Sequence, residues 1–372
     1  MLQVRPRRAW SVADTYWSEY LISRAMAGTT ASRRTMMRAV QYDKYGGGAQ
    51  GLKHVEVPIP KPKKGEVLIK MEAASINQVD WKFQSGIARP FMPKKFPFIP
   101  VCELSGEVVE LGSGVSGFKV GDKVIANSFP DGGGLAEYAV AKASRTAPRP
   151  PDVSAADGAC LPIAAVTALV ALRTAGLSLD FAAGAGEPKK NVLVTAASGG
   201  VGHFAAQLAA LAGAHVTATC GARNLSLATD ILAADEAIDY ASPDGAAVRS
   251  PSGRLYDAVV HCAPAPVPWK VFDRVLAGGG GAVGVVVDLT PGAAAFATAA
   301  RQRVTFARKR LVPLIVSPAR EEMEVVAGLV AEGKIKAVID SRYPLSRAEE
   351  GWAKSMAGHV TGKIVVEIGE DE

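Results

Sequence analysis

The residues that most clearly carry chemistry are Ala197, Ser198, Gly199, Gly200, Val201 and Gly202, between a short apolar run, 191–196, and an Ala/Leu-rich run that begins at His203. The first run is rich in β-branched residues and reads as a buried parallel strand. The second reads as a helix. A strand, a glycine turn and a helix in that order aim the free N–H groups of the helix's first turn at an anion, and the spacing suits a pyrophosphate. Gly199 lets backbone approach a phosphate, and Gly202 lets the helix pack close against the strand. Ala197 stands where the first glycine of G-x-G-x-x-G usually stands. An ordinary tight turn shares this spacing, so the surroundings must decide between the two readings.

They favour a nucleotide. Residues 215–220 form a second strand at crossover distance from the first. In a site for NAD, an Asp or Glu near the end of that strand holds the ribose 2′-hydroxyl. Here the chain reads Gly221, Ala222, Arg223, Asn224 instead. A carboxylate would repel a 2′-phosphate, whereas a guanidinium bonds it in a forked, charge-assisted way. NADPH is therefore expected over NADH, with Tyr240, at the end of a third strand, adding a hydroxyl donor to the same phosphate. The plainer alternative makes Arg223 a solvated residue at a helix start.

The elements that must hold this turn are spread over 372 residues, enough for two domains with a core each. Residues 1–38 carry seven arginines, no lysine and two acids, a charge of +5 out of the chain's +6. The remaining body is nearly neutral, which argues against nucleic acid as a partner. An Arg-rich, acid-poor leader fits an organellar transit segment, with a disordered leader or an internal start at Met36-Met37 as the alternatives. No stretch of about 18 uncharged apolar residues reads as a membrane span. The four cysteines, Cys102, Cys160, Cys220 and Cys262, are scattered without a C-x-x-C pair. That suggests free thiols rather than a disulfide framework or a clustered zinc site.

From about residue 38 to 148 the chain is cut by glycines and prolines into short strands, interrupted at 78–99 by a loop or short helix with Trp81, Lys82 and Phe83. Residues 156–177 read as helical, with Pro162 near the start. After the glycine turn, strands at 257–262 and 281–287 alternate with helices, which means an α/β, doubly wound parallel sheet. A helix at 321–332 follows, and strands at 335–345 and 362–368 read like the first part again. The β domain is thus split in sequence, with the nucleotide domain inserted.

Five segments together resemble the zinc-free quinone oxidoreductase branch of the medium-chain dehydrogenase/reductase superfamily: AASINQVDWKFQSG (73–86), FIPVCELSGEVVELGSGVSGFKVGDKV (98–124), LPIAAVTALVAL (161–172), AASGGVG (196–202) and GKIVVEI (362–368). CGARN, ADEAIDY and VDWK are similar to segments of the plant chloroplast-envelope quinone oxidoreductase homologues and of chloroplast enone reductases. The resemblance implies a GroES-like β domain at 37–160 and 335–372, a Rossmann NADPH domain at 161–334, and an extension at 1–36. It also implies a cleft between the domains and a chloroplast location, in the stroma or peripheral on the inner envelope, with the cytoplasm as the alternative. Zinc-dependent relatives use a Cys and a His ligand within Gly-His-Glu and similar motifs, plus four clustered cysteines. This chain reads CELSGEVVE there, and its five histidines, His54, His203, His215, His261 and His359, lack ligand spacing, so no metal is expected. Val101 and Glu103 replace a Gly and an Asp often seen in this branch.

The chemistry that fits is hydride transfer to the β-carbon of an α,β-unsaturated carbonyl, an enone or a lipid-derived ketol. A nicotinamide cofactor does the hard step, and the protein stabilises charge on the substrate oxygen. Asn77, by its position in the family, is expected at the nicotinamide ribose or amide. Lys82 is a candidate donor to that oxygen or to the α-carbon, and Asp80 a candidate to orient it. The plainer alternatives are a surface lysine and a helix-capping aspartate. Strand ends facing the cleft suggest further cofactor contacts at Thr167, Cys262, Ala263, Val285 and Val286, with Gly362 and Lys363 reaching from the returning β domain. Quinone reduction, or a weakly catalytic NADPH-binding protein held peripherally on a membrane, are the competing functions. A basic strand-like stretch at 306–318 makes a homodimer plausible, an exposed edge strand being the plainer reading.

Overall fold

Gly and Pro punctuation does cut the first part of the chain into short strands. The computed structural model describes residues 35–89, 92–93, 95–179, 189–278 and 283–369. The expected leader at 1–36 lies outside them but for its last two residues, as does part of the segment at 78–99. Strands β1 (Met36–Gln41) and β2 (Lys53–Pro58) pair with each other, and then come β3 (Glu66–Ile76), β4 (Glu103–Leu111), β5 (Lys123–Asn127), β6 (Tyr138–Lys142) and β7 (Thr146–Pro148). The next six, β8 (Asn191–Thr195), β9 (His215–Cys220), β10 (Glu236–Asp239), β11 (Ala258–His261), β12 (Gly284–Asp288) and β13 (Lys309–Pro313), form one parallel sheet in the order β10-β9-β8-β11-β12-β13. β14 (Ile339–Pro344) and β15 (Lys363–Glu367) then rejoin the first sheet, ordered β14-β15-β3-β4-β5-β7 with β6 also on β3.

The parallel strands are covered on both faces, which is why they read as unbroken apolar runs rather than as alternation. Val192, Val194, Val260 and Val287 point into one core, and Leu193, Val259 and Val286 into another with Tyr256 and Phe272. The first of these cores also takes in Ala73, Ile125 and Val365 of the other sheet, joined through Leu161, Leu169 and Leu172. Each such leucine, fully buried, contributes roughly 1.5–3 kcal/mol.

One long helix was expected at 156–177, and the structure divides it. A helix at Ala155–Ala159, capped by the Ser154 hydroxyl, gives way to a π-helical turn, Leu161–Ala165, before the helix Val166–Thr174. Pro162 cannot donate a backbone bond, and a π-turn at that place frees amides for other acceptors. The Glu103 carboxylate takes two of them, from Ile163 and Ala164.

Candidate active site

The strand order reverses between β8 and β11, and in such sheets ligands bind outside the carboxyl ends at the reversal. The glycine turn lies there. Ala196 adopts a left-handed φ of 49°, and Ala197, buried, donates its amide to the Thr219 carbonyl at 2.8 Å. The special backbone conformation thus falls one residue before the replaced glycine, so Ala197 is tolerated. Gly202 is required: a Cβ there would lie 2.2 Å from the Ala196 carbonyl oxygen. The amides of Gly200, Val201 and Gly202 meet no acceptor among the described residues, at the start of the helix Gly202–Leu211. Such a turn fits the pyrophosphate of a dinucleotide.

His203 fixes the turn from behind. Its Nε2 accepts the Val338 amide at 3.2 Å, so Nδ1 carries the proton and donates to the Gly199 carbonyl at 2.9 Å. Burial lowers its pKa to about 4. Gln207, one turn on, binds both the amide and the carbonyl of Lys336. At the end of β11, Thr195 Oγ1 meets His261 Nδ1 at 2.8 Å and accepts the Cys262 amide at 3.1 Å. Burial pushes the Cys262 thiol up to about 12, so it stays protonated. Ala263 is tied through its carbonyl to the Thr290 hydroxyl.

Beyond β9, the Tyr240 ring lies against Gly221, where a Cβ would sit 3.4 Å from the ring. Arg223 and Asn224 follow on the short turn Ala222–Asn224. Arg223 has no carboxylate partner among the described residues, and it donates to the carbonyl of His359.

The β-domain wall is made of side chains. Glu103 Oε2 accepts from Lys363 Nζ at 2.6 Å and Asn77 Nδ2 at 2.8 Å, while Oε1 takes the two amides of the π-turn. Lys363 Nζ donates also to Asn77 Oδ1 at 2.6 Å. The pair is dry, with side-chain exposures of 2% and 0%. Nearby, Asp80 accepts the Asn77 amide at 2.7 Å in a capping box, and burial raises its carboxyl to about 7.

The geometry corrects one expectation and shows where the other residues stand. Asp80 does not orient Lys82: residues two apart on a helix do not face each other, and the carboxyl turns back to Asn77. Lys82 is half-buried, its ammonium 5.8 Å from the Trp81 ring centroid. Asn77 and Lys363, expected on the cofactor, spend their polar atoms on Glu103 and on each other; only the stem of Lys363 and Gly362 lie against the glycine turn. Val285 and Val286 pair with Ala258 and Val259 in the body of the sheet, away from its carboxyl end. Leu289 and Thr290 stand at that end instead. Thr167 is half-buried near the start of Val166–Thr174. Thr195 at the end of β8, His203 in the helix after the turn, Thr290 beyond β12 and Thr361 ahead of β15 also stand here; no shared sequence signal marks them. Among the described residues, no group of three or more His, Cys, Asp or Glu side chains is placed to hold a metal.

This architecture, a mostly antiparallel β domain interrupted by a 3-2-1-4-5-6 parallel sheet with a glycine turn at its reversal, has counterparts among known proteins. The chain matches the alcohol dehydrogenase GroES-like domain over residues 63–151 and the zinc-binding dehydrogenase family over 232–366. It is 57% identical over 334 residues, 89% of this chain and 98% of the relative, to the chloroplast envelope quinone oxidoreductase homolog of Arabidopsis thaliana. The NADPH-dependent alkenal/one oxidoreductase, chloroplastic, of the same plant is 30% identical over 341 residues, 89% of this chain and 79% of the relative. A solved quinone oxidoreductase from Coxiella burnetii superposes with a TM-score of 0.77 at 31% identity, covering 90% of this chain and all of that one. The chain belongs to the medium-chain dehydrogenase/reductase superfamily and, within it, to the quinone oxidoreductase branch.

Proposed function

We propose that the chain is an NADPH-dependent, zinc-independent reductase of the C=C bond of α,β-unsaturated carbonyls. The observation that carries the cofactor is the pairing of free amides at Gly200, Val201 and Gly202 with an Arg223 that lacks a carboxylate, in a strand end without an acid. When bound, reduced nicotinamide supplies a hydride for the substrate's β-carbon. The substrate also gains a proton at the α-carbon, and negative charge collects meanwhile on its carbonyl oxygen. Lys82, half-buried and free of acidic partners among the described residues, supplies a donor for that charge or that proton. Asn77, Glu103 and Lys363 hold the wall behind it, and Gly202 and His203 keep the turn in place. The relative named for alkenal/one reduction at 30% identity supports this substrate class.

A second reading, quinone reduction, is favoured by the name of the 57% identical relative. The same names support a chloroplast location. The envelope in one of them fits peripheral attachment, and among the described residues no helix is long and apolar enough to cross a membrane. A homodimer is supported by β13, an edge strand flanked by Phe306 and Ile315, which are 86% and 82% exposed. NADPH oxidation by the purified chain against a short enone, a long-chain enone, a quinone and a saturated ketone, each repeated with NADH, tests the proposal. Enone turnover with NADPH preferred is expected. Turnover of the quinone alone would move the function to the second reading. Tight NADPH binding without turnover would move it to the nucleotide-binding one.

A further inference from the structure

Between the helix Ala348–Ala357 and β15 the chain reads Gly358, His359, Val360, Thr361, Gly362. Gly358, His359 and Gly362 have φ values of 77°, 58° and 81°. No side chain fits at Gly362, where a Cβ would lie 2.0 Å from the Val338 carbonyl oxygen. The backbone of this strap is therefore closely defined, and it is laid against the nucleotide turn. The Gly362 amide donates to the Ser198 carbonyl at 2.8 Å. The Arg223 guanidinium donates through Nη2 to the His359 carbonyl. Asn224 Nδ2 and Thr361 Oγ1 are 3.2 Å apart, and Thr361 Oγ1 and Asn224 Oδ1 3.3 Å, so amide and hydroxyl bond each other. The Thr361 amide is in turn held by Asp340 Oδ1 at 3.1 Å, and Asp340 is paired with Lys354.

Resting on the reading of Arg223 as the ligand of a 2′-phosphate, we infer that this strap of the β domain completes that site: Thr361 and the His359 carbonyl are positioning residues that set Asn224 and Arg223 for the phosphate. A guanidinium has five N–H groups in a rigid fork. With one N–H of Nη2 engaged on His359, four N–H groups remain, and one full edge of the fork, Nη2 with Nε or Nη2 with Nη1, is left for two phosphate oxygens. On an exposed three-residue turn, a long arginine side chain would otherwise have to be ordered when the ligand binds. Anchoring it beforehand lowers that cost, and only for ligands that carry the 2′-phosphate.

The test is calorimetric binding of 2′-phospho-AMP and of 5′-AMP to the full chain, with no turnover required. Thr361→Val keeps the shape and removes the hydroxyl. It is expected to weaken 2′-phospho-AMP about tenfold, in the range for loss of one hydrogen bond that supports a charged contact, with 5′-AMP unchanged. Thr361→Ser should restore wild-type discrimination. Equal weakening of both nucleotides by Thr361→Val would mark a merely structural role and overturn the proposal. Arg223→Ala separates the two levels. If it abolishes discrimination while Thr361→Val leaves it intact, the strap proposal falls and the Arg223 reading stands. If Arg223→Ala leaves discrimination intact, the Arg223 reading falls and takes the strap with it.

Discussion

At the glycine turn the groups offered to a ligand are backbone amides on small residues, Gly200, Val201 and Gly202, left without acceptors. On the opposing wall, Asn77, Glu103 and Lys363 are large polar side chains whose hydrogen-bonding capacity is largely spent on one another. One surface is chemically open and sterically tight; the other is chemically closed and almost dry. A turn built from backbone depends on what cannot be there, namely a Cβ. A wall built from charges depends on what must be there, a partner for each ion. The two therefore fail in different ways when changed.

The wall should fail hardest. Glu103 has four donors on two oxygens. In Glu103→Gln the new NH2 must face either Lys363 and Asn77 or the amides of Ile163 and Ala164, donor against donor, and Lys363 is left a buried cation. A loss of about 3–5 kcal/mol is expected. Urea unfolding checks it, and adding Lys363→Met should recover part of the loss. An unchanged midpoint in Glu103→Gln would mean that the wall is not held by charge.

Titration contrasts the two sides with opposite signs. His203, beside the turn, has a pKa lowered to about 4. Its stabilisation is complete above its unfolded value of about 6.5 and is lost as pH falls toward 4. Asp80, on the wall, has a carboxyl raised to about 7. The fold prefers it protonated, so its contribution is complete below its unfolded value, near 3.8, and is lost as pH rises through 7. Each effect is on the order of 3–4 kcal/mol at its limit, and between pH 4 and 6.5 they oppose each other. His261, also lowered by burial, adds to the side of His203. Acidification from pH 6.5 to 4.5 should therefore destabilise Asp80→Asn more than the unaltered chain, and His203→Asn less. Urea midpoints across that range decide it, and identical slopes for all three chains would refute the assignment. At the turn itself, Gly202→Ala should cost about 1–3 kcal/mol by overpacking against Ala196.

The same contrast explains what could be read from sequence. The turn was legible because its requirement is local: six consecutive residues and an absent acid at the end of β9 are visible without knowing what lies nearby. The split β domain was legible too, because strand-like runs resembling the first part return after residue 335. The wall was not. Glu103 and Lys363 are 260 residues apart, and neither position advertises its partner. Asn77 is expected from its position in the family and Lys82 from general acid logic with Asp80 to orient it, but helical geometry sends Asp80 back to Asn77 and leaves Lys82 on another side. For Val285 and Val286 the unread detail is smaller. The strand begins at Gly284, so its carboxyl end, where ligands bind, falls at Asp288 and beyond.

Lys82 belongs to neither surface, and that makes it the sharpest probe of the proposed chemistry. Its ammonium touches no acid among the described residues, and it is half-buried on the same helix whose start is locked by Asp80. Lys82→Ala should change the unfolding free energy, read by urea denaturation, by no more than about 0.5 kcal/mol, as for surface positions without a specific partner. NADPH affinity should not change, since the turn and Arg223 lie on the other sheet. Loss of a general acid typically costs a factor of about 10²–10⁴ in turnover. A drop of that size in enone reduction, with stability and NADPH binding intact, would place the lysine in the proton-transfer or charge-stabilising step. Full turnover in Lys82→Ala would remove it from the mechanism and leave protonation of the α-carbon to water.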